Sequence, residues 1–91
     1  MIRERGPAWD EARPMREQDG WDEHAAVMDA LADEGSIVLG GPLGDGDHRF
    51  MHIVEAASAA AIRDLLAADP WEARQLTTVA VEPWEILLRS P

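Results

Sequence analysis

Ninety-one residues make one domain, residues 1–91, with no room for a second core. Acidic residues outnumber basic ones 18 to 8, giving a formal charge of −10, and no Lys/Arg run forms a patch, which argues against nucleic-acid and membrane-surface partners. The absence of cysteine removes disulfides, thiolate catalysis and Cys-based zinc sites, while a hydrophobic fraction of 46% is that of a globular protein.

In chain order, Met1–Arg5 is the candidate first strand, with only Met1 and Ile2 apolar. Either this strand is stunted or its start lies upstream. The same residues lack the apolar segment of a signal peptide, and no stretch approaches ~18 apolar residues, so a cytoplasmic location is expected. Gly6 to Gly20 carry Pro7 and Pro14 and read as an irregular connection anchored by Trp9. A helix is predicted from Gly20 to Glu34, with Trp21, His24, Ala25, Met28, Leu31 and Ala32 on one face, Asp19 as N-cap and Gly35 as a left-handed end.

Ser36 to Gly40 is a short strand whose continuous Ile37-Val38-Leu39 reads as buried on both faces. The glycine-rich Gly40–Asp47 is expected to be a loop, and His48–Glu55 the next strand. Ala57 or Ser58 opens a second helix reaching Ala68, with Ile62, Leu65 and Leu66 as its apolar stripe. Leu76–Glu82 is a further strand; Pro83 breaks it, and Trp84, Ile86 and Leu88 alternate in a short extra C-terminal strand. The sum is an α+β fold, a ferredoxin-like βαββαβ with an antiparallel sheet, two helices on one face and an unusually short first strand.

Among residues that carry chemistry, His24 comes first, near the start of the first helix on its apolar face. It is either a half-buried histidine hydrogen-bonded to backbone or a general acid or base, since imidazole titrates near neutral pH. The two helices of such a fold run in opposite directions, so the start of the first and the end of the second meet at one end of the sheet. That places Asp69 within reach of His24, beside Gly40–Gly44. A carboxylate that orients an imidazole is one role for Asp69. Capping a helix that begins Asp69-Pro70-Trp71-Glu72 is the other, and one aspartate can serve both. The four tryptophans read as core or interface anchors, and Trp71, beside Asp69, is alternatively a pocket wall.

No metal site is expected: His48 and His52 share a strand face but lie ~13 Å apart at ~3.3 Å per residue. The glycine loop matches neither phosphate-binding fingerprint, and no serine stands in a nucleophile elbow.

Several motifs together carry a family resemblance. They are Arg16-Glu17-Gln18, Trp21, His24-Ala25, Met28, Leu31, Gly35, Leu39-Gly40-Gly41-Pro42-Leu43, Asp69-Pro70-Trp71 and Val81-Glu82-Pro83-Trp84-Glu85-Ile86-Leu87-Leu88. From about Arg5 to Leu88 the chain resembles the YCII-related family. The resemblance implies a ferredoxin-like subunit of a dimeric α/β barrel, related to muconolactone-isomerase-like proteins. It also implies an active-site pair at the positions of His24 and Asp69. Some members remove chloride from hydroxylated, chlorinated rings by proton transfer; most have no assigned activity.

The resulting expectation is a homodimeric, cofactor-free enzyme moving a proton on a small cyclic or phenolic molecule. His24 would be its acid or base and Asp69 the orienting partner, with Trp71, Gly41 and Pro42 in the pocket wall. The alternative is a non-catalytic dimeric module that binds a small molecule or a protein.

Overall fold

A computed structural model describes residues 1–91. Six elements follow in order: β1 (Ile2–Arg5), α1 (Trp21–Asp33), β2 (Ile37–Pro42), β3 (Arg49–Val54), α2 (Ala59–Leu66) and β4 (Leu76–Ala80), with one 3₁₀ turn at Met15–Glu17. The four strands form one antiparallel sheet in the order β2-β3-β1-β4, an α+β fold consistent with a ferredoxin-like arrangement. No helix is long and apolar enough to cross a membrane.

β1 is short, as expected, and central. Arg3 pairs with Phe50 on one side and Thr78 on the other. Strand residues opposite one another point to the same face, so Arg3 and Phe50 both project toward the core. That core is Trp9, Phe50, Trp71 and Leu76, with Met15 and Trp21 packed against it. Trp71 meets Trp9 edge-on at 5.9 Å and Trp21 at 5.6 Å between centroids. Burying side chains of this size stabilises by about 1.5–3 kcal/mol each. Trp9 thus pins the irregular Gly6–Gly20 segment, as its sequence position implied.

Several expectations need correction. Asp19 does not cap α1. Gly20 occupies that position at φ 75°, with no side-chain cap, while the Asp19 carboxylate bonds Arg13 and its carbonyl accepts from the Trp71 indole. A left-handed residue there turns the chain so that Asp19 faces Trp71 rather than the helix. At the other end of α1, Gly35 adopts φ 84° as anticipated.

β2 is longer than expected, since Gly40, Gly41 and Pro42 pair with His52, Met51 and Phe50 instead of looping. Proline is tolerated because β2 is an edge strand. For the same reason Val38 and Leu39 are exposed (Leu39 68%), not buried on both faces. Gly40 is required by a close approach: a Cβ there would lie 2.7 Å from the His52 ring.

Asp69 starts no helix; residues after it form turns that lead to β4. Ser58 does cap α2, its hydroxyl accepting from the Ala61 N–H. The extra C-terminal strand is not formed. Residues 81–91 have no regular structure, and Trp84, Ile86, Leu87 and Leu88 are exposed. The segment pairs with neither edge strand of the sheet, β2 or β4, and Pro83, three residues beyond the end of β4, has no N–H to give a ladder.

Candidate functional site

His24 lies in the first turn of α1, and its ring turns inward, only 7% of the residue remaining exposed. Asp69 follows α2 and is buried. The antiparallel run of the helices brings them together: His24 Nδ1 lies 2.8 Å from Asp69 Oδ1. The same oxygen accepts the Trp71 backbone N–H at 2.9 Å. Asp69 therefore orients the imidazole and closes its own turn, while the helix it was expected to cap does not form.

Trp71 completes the setting. Its indole stacks on the imidazole at 4.0 Å with the planes 9° apart, and its Nε1–H donates to the Asp19 carbonyl at 2.7 Å. The loop after α2 is thus tied to the residue before α1, which holds the helix start against it.

Arg3, fully buried, comes from β1. Its Nη2 lies 2.9 Å from Asp69 Oδ2 and donates to Glu72 Oε2 at 2.8 Å, while Thr78 Oγ1 donates to the same Glu72 oxygen at 3.0 Å. Burial raises the cost of charge on Asp69. The hydrogen bonds from His24 and the Trp71 N–H, with the nearby charges of His24 and Arg3, outweigh it and hold the carboxyl below its usual range. An ionised carboxylate only accepts, so His24 Nδ1 carries the proton toward Asp69. In the neutral ring Nε2 then holds the lone pair, and it makes no bond to protein.

His52 stands on the same face of β3 as Phe50, diagonal to Arg3. Burial, then the positive charge of Arg3, pushes its pKa down to about 4, so it is neutral at pH 7. Its Nδ1 has no partner. With Met1, Ile2, Ile62, Trp84 and Ile86 it lines a partly open, mainly apolar cavity of about 840 Å³.

Of the five expected site residues, three converge: His24, Asp69 and Trp71. Trp71 does so as a buried stacking partner, 1% exposed. Gly41 and Pro42 lie apart on β2, in a shallower groove of about 350 Å³ shared with Leu39, Met51 and Trp84. Nowhere do three or more metal-ligating side chains converge. Sequence reasoning missed Arg3, Glu72, Thr78 and the burial of His52. One signal was available: an arginine at an inward position of a central strand demands carboxylates, and Asp69 and Glu72 are three residues apart.

The model of the YCII-related domain matches residues 6–85. The chain belongs to the YCII-related family. The match spans His24, Asp69, Trp71 and Glu72 and leaves out all of β1, hence Arg3. No curated protein and no solved structure matches the chain.

Proposed function

We propose that this YCII-related protein is a cofactor-free enzyme that transfers a proton on a small cyclic or phenolic molecule, with His24 as the acid or base. The observation that carries the reading is the bond from His24 Nδ1 to the buried Asp69 carboxylate, which leaves Nε2 as the ring's one uncommitted nitrogen. A carboxylate so placed fixes the tautomer and stabilises the imidazolium formed when Nε2 takes a proton. The stacked Trp71 face adds to that stabilisation. The apolar cavity with neutral His52 at its wall and the neighbouring groove with Gly41 and Pro42 suit an aromatic or alicyclic body, although His24 lines neither.

We infer further that the protein works as a homodimer in the cytoplasm. Support for the dimer is the exposed apolar surface of Val38, Leu39, Trp84, Ile86, Leu87 and Leu88. Light scattering at micromolar concentration should give twice the monomer mass; a monomer refutes it.

The function is tested by proton exchange in D₂O. Hydroxylated aromatics and cyclic enones are incubated with the protein and followed by ¹H NMR, which reports C–H loss whatever the product. The wild type should exchange at least one compound. His24→Asn keeps an N–H donor near the Nδ1 position but has no Nε2, and should abolish the exchange while remaining folded, at a somewhat lower melting temperature because the stack on Trp71 is lost. Equal exchange by His24→Asn, or none by the wild type on any compound, refutes the proposal.

A second reading has its own support. His24 is nearly buried and stacked among core tryptophans, as a purely structural pair in a small-molecule-binding or protein-binding module would be. That reading gains if His24→Asn and the wild type are equally inert yet bind the same compounds.

A further inference from the structure

A guanidinium in the middle of a sheet is an expensive way to fill a core position. A well-packed apolar side chain of similar volume is often as stable or more so, and an arginine there calls for an explanation beyond packing. Arg3 is fully buried, in the central strand, between Phe50 and Thr78. Only Nη2 meets carboxylates; Nε and Nη1 have no partner. The group is therefore held by its Nη2 contacts to Asp69 and Glu72 rather than by a full set of hydrogen bonds. Glu72 is itself held by Thr78 Oγ1, which keeps Arg3 from swinging away from Asp69.

We propose that Arg3 is a positioning residue: through Asp69 it holds the His24 ring in the Nδ1–H tautomer, with Nε2 left as the reacting nitrogen. The step is electrostatic. Asp69 faces Arg3 from β1, His24 from α1, Glu72 from its own loop and His52 from β3. Of these Arg3 alone is a permanent cation. Glu72 is an anion, and His24 and His52 can each be neutral. Without Arg3 a carboxyl this buried takes up a proton more readily. Once protonated it can donate to Nδ1 rather than accept from it, and the ring's proton moves to Nε2. The base is then blocked at the nitrogen meant to react. The matched family region begins after Arg3, so the assignment comes from the geometry of this chain alone.

The consequence for turnover rests on the proton-transfer reading above, whereas the tautomer can be measured without any substrate. Long-range ¹H–¹⁵N spectra of the imidazole report the protonated nitrogen, and a ¹³C titration of the Asp69 carboxyl reports its midpoint. In the wild type the Nδ1–H form of His24 should dominate at neutral pH. Arg3→Met should raise the Asp69 midpoint, so that as the pH is lowered His24 shifts toward the Nε2–H form at a higher pH than in the wild type. Arg3→Lys restores the charge and should return both signals toward wild type, which a role in packing alone would not predict. If Arg3→Met fails to fold, Arg3→Gln takes its place, being polar but uncharged, with the same shifts expected. An unchanged Asp69 midpoint and an unchanged tautomer in the uncharged variant overturn the proposal. A shifted tautomer with no exchange activity in any variant leaves the role of Arg3 standing and refutes the enzymatic reading instead.

Discussion

Asp69→Ala is the sharpest perturbation of the fold. The buried carboxylate accepts two N–H groups, from His24 and Trp71, and contacts Arg3 at 2.9 Å. Truncation leaves two buried donors unsatisfied, at about 1–3 kcal/mol each, and breaks a buried ion pair, at about 3–5 kcal/mol. These costs share one group and one space, so they do not add in full; a loss of about 3–5 kcal/mol is expected. A domain of this size has only about 5–14 kcal/mol in total, so the variant keeps at best part of its stability. Urea unfolding followed by tryptophan fluorescence is the assay, because Trp9 and Trp71 are both core residues. With a slope of about 1–2 kcal/mol per molar, the midpoint should fall by roughly 1.5–5 M. Asp69→Asn keeps an acceptor for the Trp71 N–H and should lose less, about 1–3 kcal/mol. A fall of under about 1 kcal/mol for Asp69→Ala would show that the pair is solvated and refute the burial argument.

Two further outcomes follow from His52. Its folded pKa lies near 4 rather than the usual 6.5, so between those values the unfolded chain binds a proton that the folded protein does not. Stability should therefore be full above about pH 6.5 and fall as the pH drops toward 4, by at most about 3 kcal/mol at 1.36 kcal/mol per unit. Melts across that window should show the slope, His52→Gln should flatten it, and an equal slope in the variant removes His52 as its cause. Gly40→Ala would put a Cβ 2.7 Å from the His52 ring; overpacking should cost about 1–3 kcal/mol and move the ring's NMR signals, and a variant unchanged in both contradicts the contact.

The regular elements were legible because their signals are local. Helical spacing marked α1, Ser58 marked the start of α2, and alternation in Leu76-Thr77-Thr78-Val79 marked β4. Chain order and helix direction then predicted the meeting of His24 and Asp69. Errors came where a local signal has two physical readings. A continuous apolar run such as Ile37-Val38-Leu39 fits a central strand or an exposed edge equally, and the sheet order made it an edge. Trp84, Ile86 and Leu88 alternate like a strand, yet alternation does not say whether a segment will pair, and this one joins neither free edge of the sheet, β2 or β4. Arg3 is the deepest case. Read by hydropathy it weakens β1, whereas in the fold it is the cation that answers Asp69 and Glu72, residues more than sixty positions away. No local pattern carries a pairing of that range.

The shared oxygen of Asp69 also shows why structural and catalytic roles are hard to separate by deletion. Oδ1 closes the turn that brings Trp71 into the core and at the same time orients His24. Any change at Asp69 therefore perturbs the turn, the stack and the ring together, and lost activity in such a variant has several explanations. The imidazole divides the roles more cleanly. Nδ1 belongs to the fold through its bond to Asp69, and Nε2 owes nothing to it. A substitution that preserves a donor at the first position and deletes the second keeps the bond to Asp69, giving up the ring's stack on Trp71 along with the chemistry. For this site His24→Asn is accordingly the decisive variant, and alanine scanning of the pair is the wrong instrument.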